Sequence, residues 1–395
     1  MKPYTDGPGP ADGGGETPAR AAADPPGAGT TAPLADRLAA AVASVEAPDV
    51  VFAASVRGRR TLRDGGSSDA TAADRQELRG DGSSNASAAD RQELRGGGKS
   101  DAAAGRQELR YEIGSASKTF AGLLLAHLAA SGRVPLGYPV DAALFPDRPP
   151  GRDPVTLHHL ITHTSGLPGL PRDFYPRALP RWNTNPYAGY DARRVVEAFA
   201  RARPRRPGTR WRYSNFGAAV LGHALAARTA TPWDDLLREH VLDPLGLSGA
   251  TLRPGAGGGR DATGHAKDGT TPLPPLDIAG FAAAGAVRAT PHDLLAFLEA
   301  HLEPAGPLAD TLREVCRPVV SHGRGEHRQT HTLTWFQQPT PRGPAFFHCG
   351  ATSGQQAFLG FCPATGFALA AVATRRYRPA DPFSAEALTL LCEGP

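Results

Sequence analysis

The sequence predicts a fold of the α/β class, more narrowly α+β, in which one antiparallel sheet is flanked by helices and a helical domain is inserted between its strands. Three observations predict it. Apolar strand patterns occur near both ends of the 395-residue chain, helical patterns fill the middle, and a Pro-Ala-Thr-Gly turn at residues 363–366 joins the last two strands. Strands from distant segments share a sheet when the chain returns to it after the helical part.

The first predicted elements follow a tail. Residues 1–32 are rich in Gly, Pro, Ala and Asp, and too few of them are apolar to offset the entropy of ordering them, so we predict disorder there. Apolar residues from Leu34 to Val45 recur at helical spacing and predict an amphipathic helix. Val50 to Val56 then predicts a buried strand, and Arg57-Gly58-Arg59 a turn.

An internal repeat comes next. The motif Arg-Gln-Glu-Leu-Arg occurs at residues 75–79, 91–95 and 106–110, with Gly, Ser and Ala between the copies. Each copy offers one Leu, which is too little apolar surface for stacked repeats. We interpret residues 64–105 as an inserted, mostly disordered loop produced by duplication, with a partner-binding role as the alternative. Only the last copy is expected to join the fold.

The later elements complete the sheet and the helical domain. The domain prediction is an α/β domain of residues 33–136 and 285–395, and a helical domain of residues 137–284. Periodicity predicts helices at Ala116–Ser131, Leu157–Thr162, Ala192–Ala202, Phe216–Arg228, Trp233–Val241, Pro291–Leu302 and Ser384–Cys392, and strands at Arg110–Ile113, Gly285–Ala289, Thr330–Phe336, Ala345–Cys349, Ala357–Phe361 and Phe367–Thr374.

Composition excludes several function classes. The net charge of +4 is small for this length and acidic residues are interspersed, so we expect no nucleic-acid partner. No apolar run approaches the roughly 18 residues of a membrane span, and the first thirty residues hold no stretch of signal-peptide length, so we expect no membrane association and a cytoplasmic location. The four cysteines lack zinc-site spacing, so no metal and no cofactor are expected.

Two basic features have alternative interpretations. Six arginines fall between Arg201 and Arg212, and a solvated loop is favoured over an anion-binding site. His159 and His163 have the i, i+4 spacing of a metal pair, but the glutamate of a zincin motif is absent. We therefore assign both histidines to the scaffold.

The segment with the strongest chemical signal is Gly-Ser-Ala-Ser-Lys at residues 114–118. Gly114 permits a tight turn from strand to helix, and Ser115 and Lys118 lie three residues apart, so their side chains share one helix face. A lysine can remove the proton of a serine only if burial or a neighbouring cation lowers its pKa. Only four of the 43 basic residues are lysines, and arginine cannot act as a base at this position. The simpler alternative is a capping serine followed by a surface lysine.

Further motifs occur along the chain, and in order they are Tyr111 to Phe120, Leu160-Ile161-Thr162-His163-Thr164-Ser165-Gly166-Leu167-Pro168, Pro207-Gly208 with Tyr213-Ser214-Asn215, Asp243-Pro244-Leu245-Gly246-Leu247, Ala284-Gly285, and His348-Cys349-Gly350. With these motifs the chain resembles the superfamily of serine β-lactamases, penicillin-binding peptidases and related esterases, closest to its class C-like branch. The resemblance covers roughly residues 34–56 and 110–392.

This resemblance implies a β-lactamase/transpeptidase-like fold and a role for each matching residue. Ser115 would attack an acyl carbonyl, Lys118 would accept its proton, and Tyr213 would carry a proton to the leaving group. Asn215 would steady Lys118 or the substrate amide. The third motif would supply His348, and the oxyanion hole would be the backbone N–H groups of Ser115 and of Ala351, which follows Gly350.

The third motif departs from the family pattern in a way that bears on substrate. Where β-lactamases and peptidases have a lysine, this chain has His348, as many esterase-like and acyl-transferring relatives do. The central Cys349 is expected to point away from the cleft. The resemblance therefore favours an esterase or transacylase, with a small-molecule ester or amide donor and water, an amine or an alcohol as acceptor. Because no export signal is expected, we expect an intracellular small-molecule substrate. The Ala, Arg, Gly and Pro bias is typical of a GC-rich bacterial genome, in which relatives of this family serve in specialised metabolism, and we expect that role here. The alternatives are a β-lactamase or D-amino-acid peptidase, and a catalytically silent binding module.

One long segment is a candidate for the substrate rim. Residues 167–190 are rich in proline and contain five aromatic side chains. Loops carried by a rigid scaffold commonly supply binding residues. A long, well-packed loop with no direct role is the alternative interpretation.

Overall fold

The computed structural model describes residues 32–67, 105–148, 151, 153–325 and 328–395. Most of the predicted tail and of the predicted insertion, including two repeat copies, lie outside these ranges. The helices are α1 (Leu34–Ser44), α2 (Ser117–Ala130), α3 (Val140–Leu144), α4 (Leu157–Ile161), α5 (Phe174–Ala178), α6 (Ala192–Arg201), α7 (Asn215–Thr229), α8 (Trp233–Leu237), α9 (Ala282–Gly285), α10 (Pro291–Leu302), α11 (Ala309–Glu314) and α12 (Phe383–Glu393).

Eight strands form one antiparallel sheet, and two short strands form a separate ribbon. The order across the large sheet is β2-β1-β10-β9-β8-β7-β6-β5, so the first strand of the chain pairs with the last. This confirms the predicted fold class. The strands are β1 (Val50–Val56), β2 (Arg59–Gly65), β3 (Tyr111–Glu112), β4 (Arg288–Ala289), β5 (Val320–His322), β6 (Gln329–His331), β7 (Phe336–Gln338), β8 (Ala345–Ala351), β9 (Gln356–Cys362) and β10 (Phe367–Ala373).

Both faces of the sheet are covered. Alternate residues of β1 belong to two different cores, because successive side chains of a strand point to opposite faces. Val50, Phe52 and Ala54 pack with α1 and α12, whereas Val51 and Ala53 pack with the helices on the other side. Between α3 and α9 the described residues form helices and no strand. The division into two domains remains a prediction.

The helix that follows the nucleophile turn runs through the interior. In α2, every residue from Ser117 to Ala126 is buried, which agrees with a sequence that is apolar around the whole helix. Burial on all sides matters because it encloses Lys118, the second residue of α2.

Two strand predictions are wrong. Residues 282–285 belong to α9 and only Arg288–Ala289 is extended, because an alanine-rich segment favours the helix. The predicted strand 330–336 is two strands, β6 and β7, joined by a tight turn. There the hydroxyl of Thr332 accepts hydrogen bonds from the N–H groups of Thr334 and Trp335, which competes with a continuous strand.

The last repeat copy is part of the fold, as predicted. Arg106 is 6% exposed and donates to Asp49 and Asp64 at 2.8 and 3.5 Å. Arg110 is buried as well and contacts Asp261 at 2.9 Å. The two arginines of this copy are therefore neutralised by carboxylates of β2, of the residue before β1 and of a distant loop. No helix in the described part of the chain is long and apolar enough to cross a membrane.

Candidate active site

The nucleophile candidate lies on a short turn between β3 and α2. Gly114–Ala116 forms one 3-10 turn that leads directly into α2. Gly114 has a φ of +49°, in the left-handed region that glycine adopts at little cost. The turn brings Lys118 Nζ to 3.1 Å from Ser115 Oγ, so the hydroxyl and the amine predicted to meet are in hydrogen-bond contact.

Lys118 is held by neutral oxygens from two other segments. It is 1% exposed. Its Nζ donates to Asn215 Oδ1 at 2.7 Å and to the carbonyl oxygen of Ala284 at 2.9 Å. Asn215 is the first residue of α7 and Ala284 belongs to α9, so three parts of the chain converge on one amine. The resemblance implies that Asn215 steadies either Lys118 or the substrate amide, and the structure places Asn215 in contact with Lys118.

Tyr213 lies close to the same amine. The residue is 7% exposed, and its ring centroid is 4.9 Å from Lys118 Nζ. It precedes Ser214, whose hydroxyl caps α7 by accepting from the N–H of Gly217 at 2.8 Å. The cap fixes where α7 begins, and thereby where the tyrosine enters the site.

Two glycines allow the third motif to approach the nucleophile turn. A Cβ atom at Gly350 would overlap the carbonyl oxygen of Ile113, and one at Gly114 would lie 2.5 Å from that of Ala351. The end of β8 therefore lies directly against the turn, where only glycine fits. The backbone of Ala351 is thus beside that of Ser115, as an oxyanion hole made of their two N–H groups requires.

His348 is buried next to this strand end as a neutral imidazole. It is 2% exposed, and its Nδ1–H donates to the carbonyl oxygen of Cys349 at 2.7 Å. Burial, and then the charge of Lys118, lower the pKa of His348 to about 3. Cys349 packs against the opposite face of the sheet, as predicted, and burial raises its thiol pKa to about 12. The thiol is therefore not a nucleophile at neutral pH.

One tyrosine of the rim segment contacts a candidate site residue. Tyr187 Oη is 3.5 Å from Asn215 Nδ2. Its ring packs against Phe174 and Phe281 at 5.1 and 4.9 Å between centroids, so much of this segment serves packing. The arginines at positions 203, 205, 206, 210 and 212 are exposed, as a solvated loop requires.

Several neighbours of the reacting groups had no predicted role. The carbonyl of Ala284 was unpredictable, because a backbone oxygen has no sequence signature. Tyr187 was one of five equivalent aromatics. The described residues contain no cluster of His, Cys, Asp and Glu that could hold a metal ion.

Comparisons with known proteins agree with this geometry. A model of the family described as Beta-lactamase matches residues 34–392. The beta-lactamase of Pseudomonas fluorescens is 26% identical over 302 residues, which cover 69% of this chain and 81% of that protein. The class C beta lactamase structure from Rhodobacter sphaeroides has a TM-score of 0.68 at 20% identity, covering 90% of this chain and 99% of that one.

A second solved structure extends the comparison beyond beta-lactamases. The D-stereospecific amidohydrolase from Streptomyces sp. superposes with a TM-score of 0.66 at 20% identity and covers 91% of this chain and 98% of that one. Structural likeness at this identity shows the fold. The family match spans the described fold from its first helix to its last, and the chain belongs to the beta-lactamase family, with the fold of its serine hydrolases.

Proposed function

We propose that this protein is a serine acyl-enzyme hydrolase or acyltransferase that acts on a small-molecule ester or amide, as an esterase or transacylase. The contact of 3.1 Å between Lys118 Nζ and Ser115 Oγ carries the proposal. Burying an amine beside a serine costs free energy, and a protein that only binds its ligand gains no catalysis in return for that cost. It is the arrangement that activates a serine as a nucleophile.

In the first step, Ser115 Oγ forms a bond to the acyl carbon and its proton passes to Lys118 Nζ, which reacts in its neutral amine form. The carbonyl oxygen becomes an oxyanion that accepts hydrogen bonds from the N–H groups of Ser115 and Ala351. The bond from the acyl carbon to the leaving oxygen or nitrogen then breaks, and the leaving group takes the phenol proton of Tyr213, which leaves a phenolate beside the ammonium of Lys118. The product is an acyl ester on Ser115.

In the second step, water, an alcohol or an amine attacks the same acyl carbon. Tyr213, with Lys118 beside its ring, accepts the proton of the incoming group. The ester bond to Ser115 breaks, and the hydroxyl recovers its proton from Lys118. Attack by water makes the protein a hydrolase, whereas attack by an alcohol or amine makes it a transacylase.

The neutral state of His348 favours ester substrates that have no carboxylate beside the scissile bond. A lysine in the third motif would offer a permanent cation to a substrate carboxylate. His348 is neutral at any pH well above 3, because burial and Lys118 disfavour its charged form. A β-lactam carboxylate would gain no ion pair from this residue. The names of relatives favour β-lactam or D-amino-acid peptide substrates as the second candidate function.

The proposal is tested by trapping the acyl-enzyme. Intact-mass measurement after exposure to p-nitrophenyl acetate is expected to show one added acetyl group on the wild type and none on Ser115→Ala. Ser131→Ala is the matched control, since this serine lies at the far end of α2 and its hydroxyl donates to the carbonyl of Leu128 at 3.2 Å. Equal labelling of wild type and Ser115→Ala would leave the silent binding module as the explanation.

Substrate class and acceptor are then separated by kinetics. We expect a neutral nitrophenyl ester to be turned over with a higher kcat/KM than a chromogenic cephalosporin. Added alcohols or amines are expected to divert part of the acyl group from water. A cephalosporin preferred over every ester would support the β-lactamase alternative, and product partition unaffected by acceptors would restrict the activity to hydrolysis.

A further inference from the structure

We propose that His163 is a positioning residue that holds Tyr213 against Ser115 and Lys118. The inference rests on the proposed function, because it matters for activity only if Tyr213 carries a proton. The sequence had placed His163 in the scaffold. Its contacts are more specific than that, since they lie on both sides of the tyrosine.

The backbone contacts bracket Tyr213. The carbonyl oxygen of His163 accepts from the N–H of Arg212 at 2.8 Å, and its Nδ1 accepts from the N–H of Ser214 at 3.3 Å. The residues immediately before and after Tyr213 are thus bound to one histidine. With both neighbours held, rotation of the Tyr213 backbone is restricted.

The ring of His163 also packs on the tyrosine itself. The ring centroids of His163 and Tyr213 are 4.3 Å apart at 41°. Trp211 lies edge-on to the imidazole at 6.0 Å and 89°. His163 is 2% exposed, so the imidazole has no room to change its place while these rings remain packed.

The residue adopts a backbone conformation that most side chains avoid. His163 has a φ of +58°, in the left-handed region, where a residue other than glycine costs of order 1 kcal/mol. Strain of this kind persists where surrounding contacts impose it. Here the conformation directs the carbonyl and the imidazole of one residue to the same short segment, residues 212–214.

The acceptor role of Nδ1 requires a neutral imidazole. Burial lowers the pKa of His163 well below its usual value, and the charges of His331, Lys118, His348 and His322 lower it further. Nδ1 therefore keeps its lone pair for the N–H of Ser214 across the neutral pH range. The hydrogen bond that brackets Tyr213 on its C-terminal side is available under ordinary assay conditions.

The rest of the motif holds the flanking chain but not the tyrosine. The carbonyl oxygens of Thr164, Pro168 and Gly169 accept from the N–H of Gly208, the hydroxyl of Ser214 and the N–H of Phe216 at 2.8, 2.6 and 2.9 Å. Among these described contacts, those of His163 are the ones that bracket Tyr213. A variant at His163 should therefore disturb the tyrosine more than the path of the segment.

Two substitutions separate the acceptor from the packing. His163→Asn keeps an acceptor atom at a position like that of Nδ1 and tolerates positive φ, whereas His163→Gly tolerates positive φ but has no side-chain acceptor. We expect His163→Gly to lower kcat for the nitrophenyl ester about 100-fold with KM changed far less, as expected for misplaced reacting groups. We expect His163→Asn to restore most of that loss.

A double-mutant cycle with Tyr213→Phe tests the mechanism of the effect. If His163 acts through Tyr213, His163→Gly should change kcat less than about 3-fold once the hydroxyl is gone, because residues that act through one another are non-additive. His158→Asn is the matched control. His158 lies on α4, the short helix that precedes His163, and its substitution is expected to leave kcat unchanged. If His163→Gly does not fold, His163→Ala takes its place in the cycle.

The outcomes distinguish the two proposals. Full activity of Tyr213→Phe would remove Tyr213 from the proposed mechanism. A strongly reduced but measurable kcat of Tyr213→Phe, together with an undiminished effect of the His163 substitution in that background, would overturn the positioning role alone. A folded His163→Asn with the activity of the glycine variant would overturn it as well.

Discussion

Two buried basic side chains close to the nucleophile turn are held by different kinds of partner. Arg288 of β4 is 2% exposed and pairs at 2.9 Å with the carboxylate of Glu112 on the neighbouring strand β3. Lys118 is buried to the same degree, but the three acceptors described around its Nζ are neutral oxygens. The two amino-acid types are therefore used for different purposes on either side of the β3-to-α2 turn, where β4 pairs with β3.

The difference shows what separates a structural cation from a reactive one. A carboxylate at contact distance stabilises the charged form of its partner, so Arg288 and Glu112 join β3 to β4 as a permanent ion pair. Neutral oxygens orient an amine without the same stabilisation of its proton. The lysine can then exchange a proton with Ser115, which an arginine at this site could not do.

The largest expected effect is on activity at Lys118. Lys118→Met keeps a chain of similar length but removes the base, and we expect kcat/KM for the nitrophenyl ester to fall by about 1,000-fold or more. The free energy of unfolding should change by less than about 2 kcal/mol, because loss of a buried amine offsets loss of its hydrogen bonds. Steady-state kinetics and denaturant unfolding measure the two quantities. Retained activity would contradict the role of Lys118.

The same replacement at Arg288 should act mainly on the free energy of unfolding rather than on kcat/KM. Arg288→Met leaves Glu112 buried without its counter-ion, so we expect a loss of about 3–5 kcal/mol in the free energy of unfolding. Denaturant unfolding of the single variant is compared with that of Arg288→Met combined with Glu112→Gln, in which no buried charge remains. The double variant should recover part of the stability. If it is less stable than the single variant, the ion pair is not the cause.

Arg106 offers a smaller test with a control built into the chain. Arg106→Ala removes the cation between Asp49 and Asp64, which are partly exposed, so we expect a loss of about 2–3 kcal/mol in unfolding free energy. The equivalent substitution Arg91→Ala lies in the second repeat copy, which the sequence predicts to be outside the fold. It should leave the unfolding midpoint unchanged. Equal losses in both variants would contradict that interpretation.

Buried histidines are a third case beside Arg288 and Lys118, because their side chains are buried in the neutral form. Burial lowers the pKa of His301 to about 4, whereas an unfolded histidine titrates near 6.5. Between these values the unfolded chain binds a proton that the folded chain excludes, so stability falls as the pH is lowered through this window. For His301 alone the loss from pH 7 to pH 5 is about 2 kcal/mol. Unfolding curves at both pH values should show a smaller difference for His301→Phe, and an unchanged difference would refute the assignment.

The sequence was sufficient for features that depend on neighbouring residues. The spacing of Ser115 and Lys118 on one turn, the buried strands β1 and β10, and the glycine before the nucleophile all follow from local periodicity and turn chemistry. The strand predicted at 330–336 failed for a local reason too. A hydroxyl of Thr332 satisfies two backbone N–H groups that an extended strand would have paired elsewhere.

By itself, then, the amino-acid sequence predicted the fold class and a candidate nucleophile with a lysine one helical turn away. Only the tertiary structure decided which groups surround that lysine. Asn215 lies 97 residues from Lys118 and Ala284 lies 166 residues from it. The role of His163 was equally hidden, since an i, i+4 histidine pattern cannot show that one imidazole brackets a tyrosine 50 residues later. Long-range contacts depend on how whole elements pack, and a backbone carbonyl or a shared cavity has no signature in local sequence.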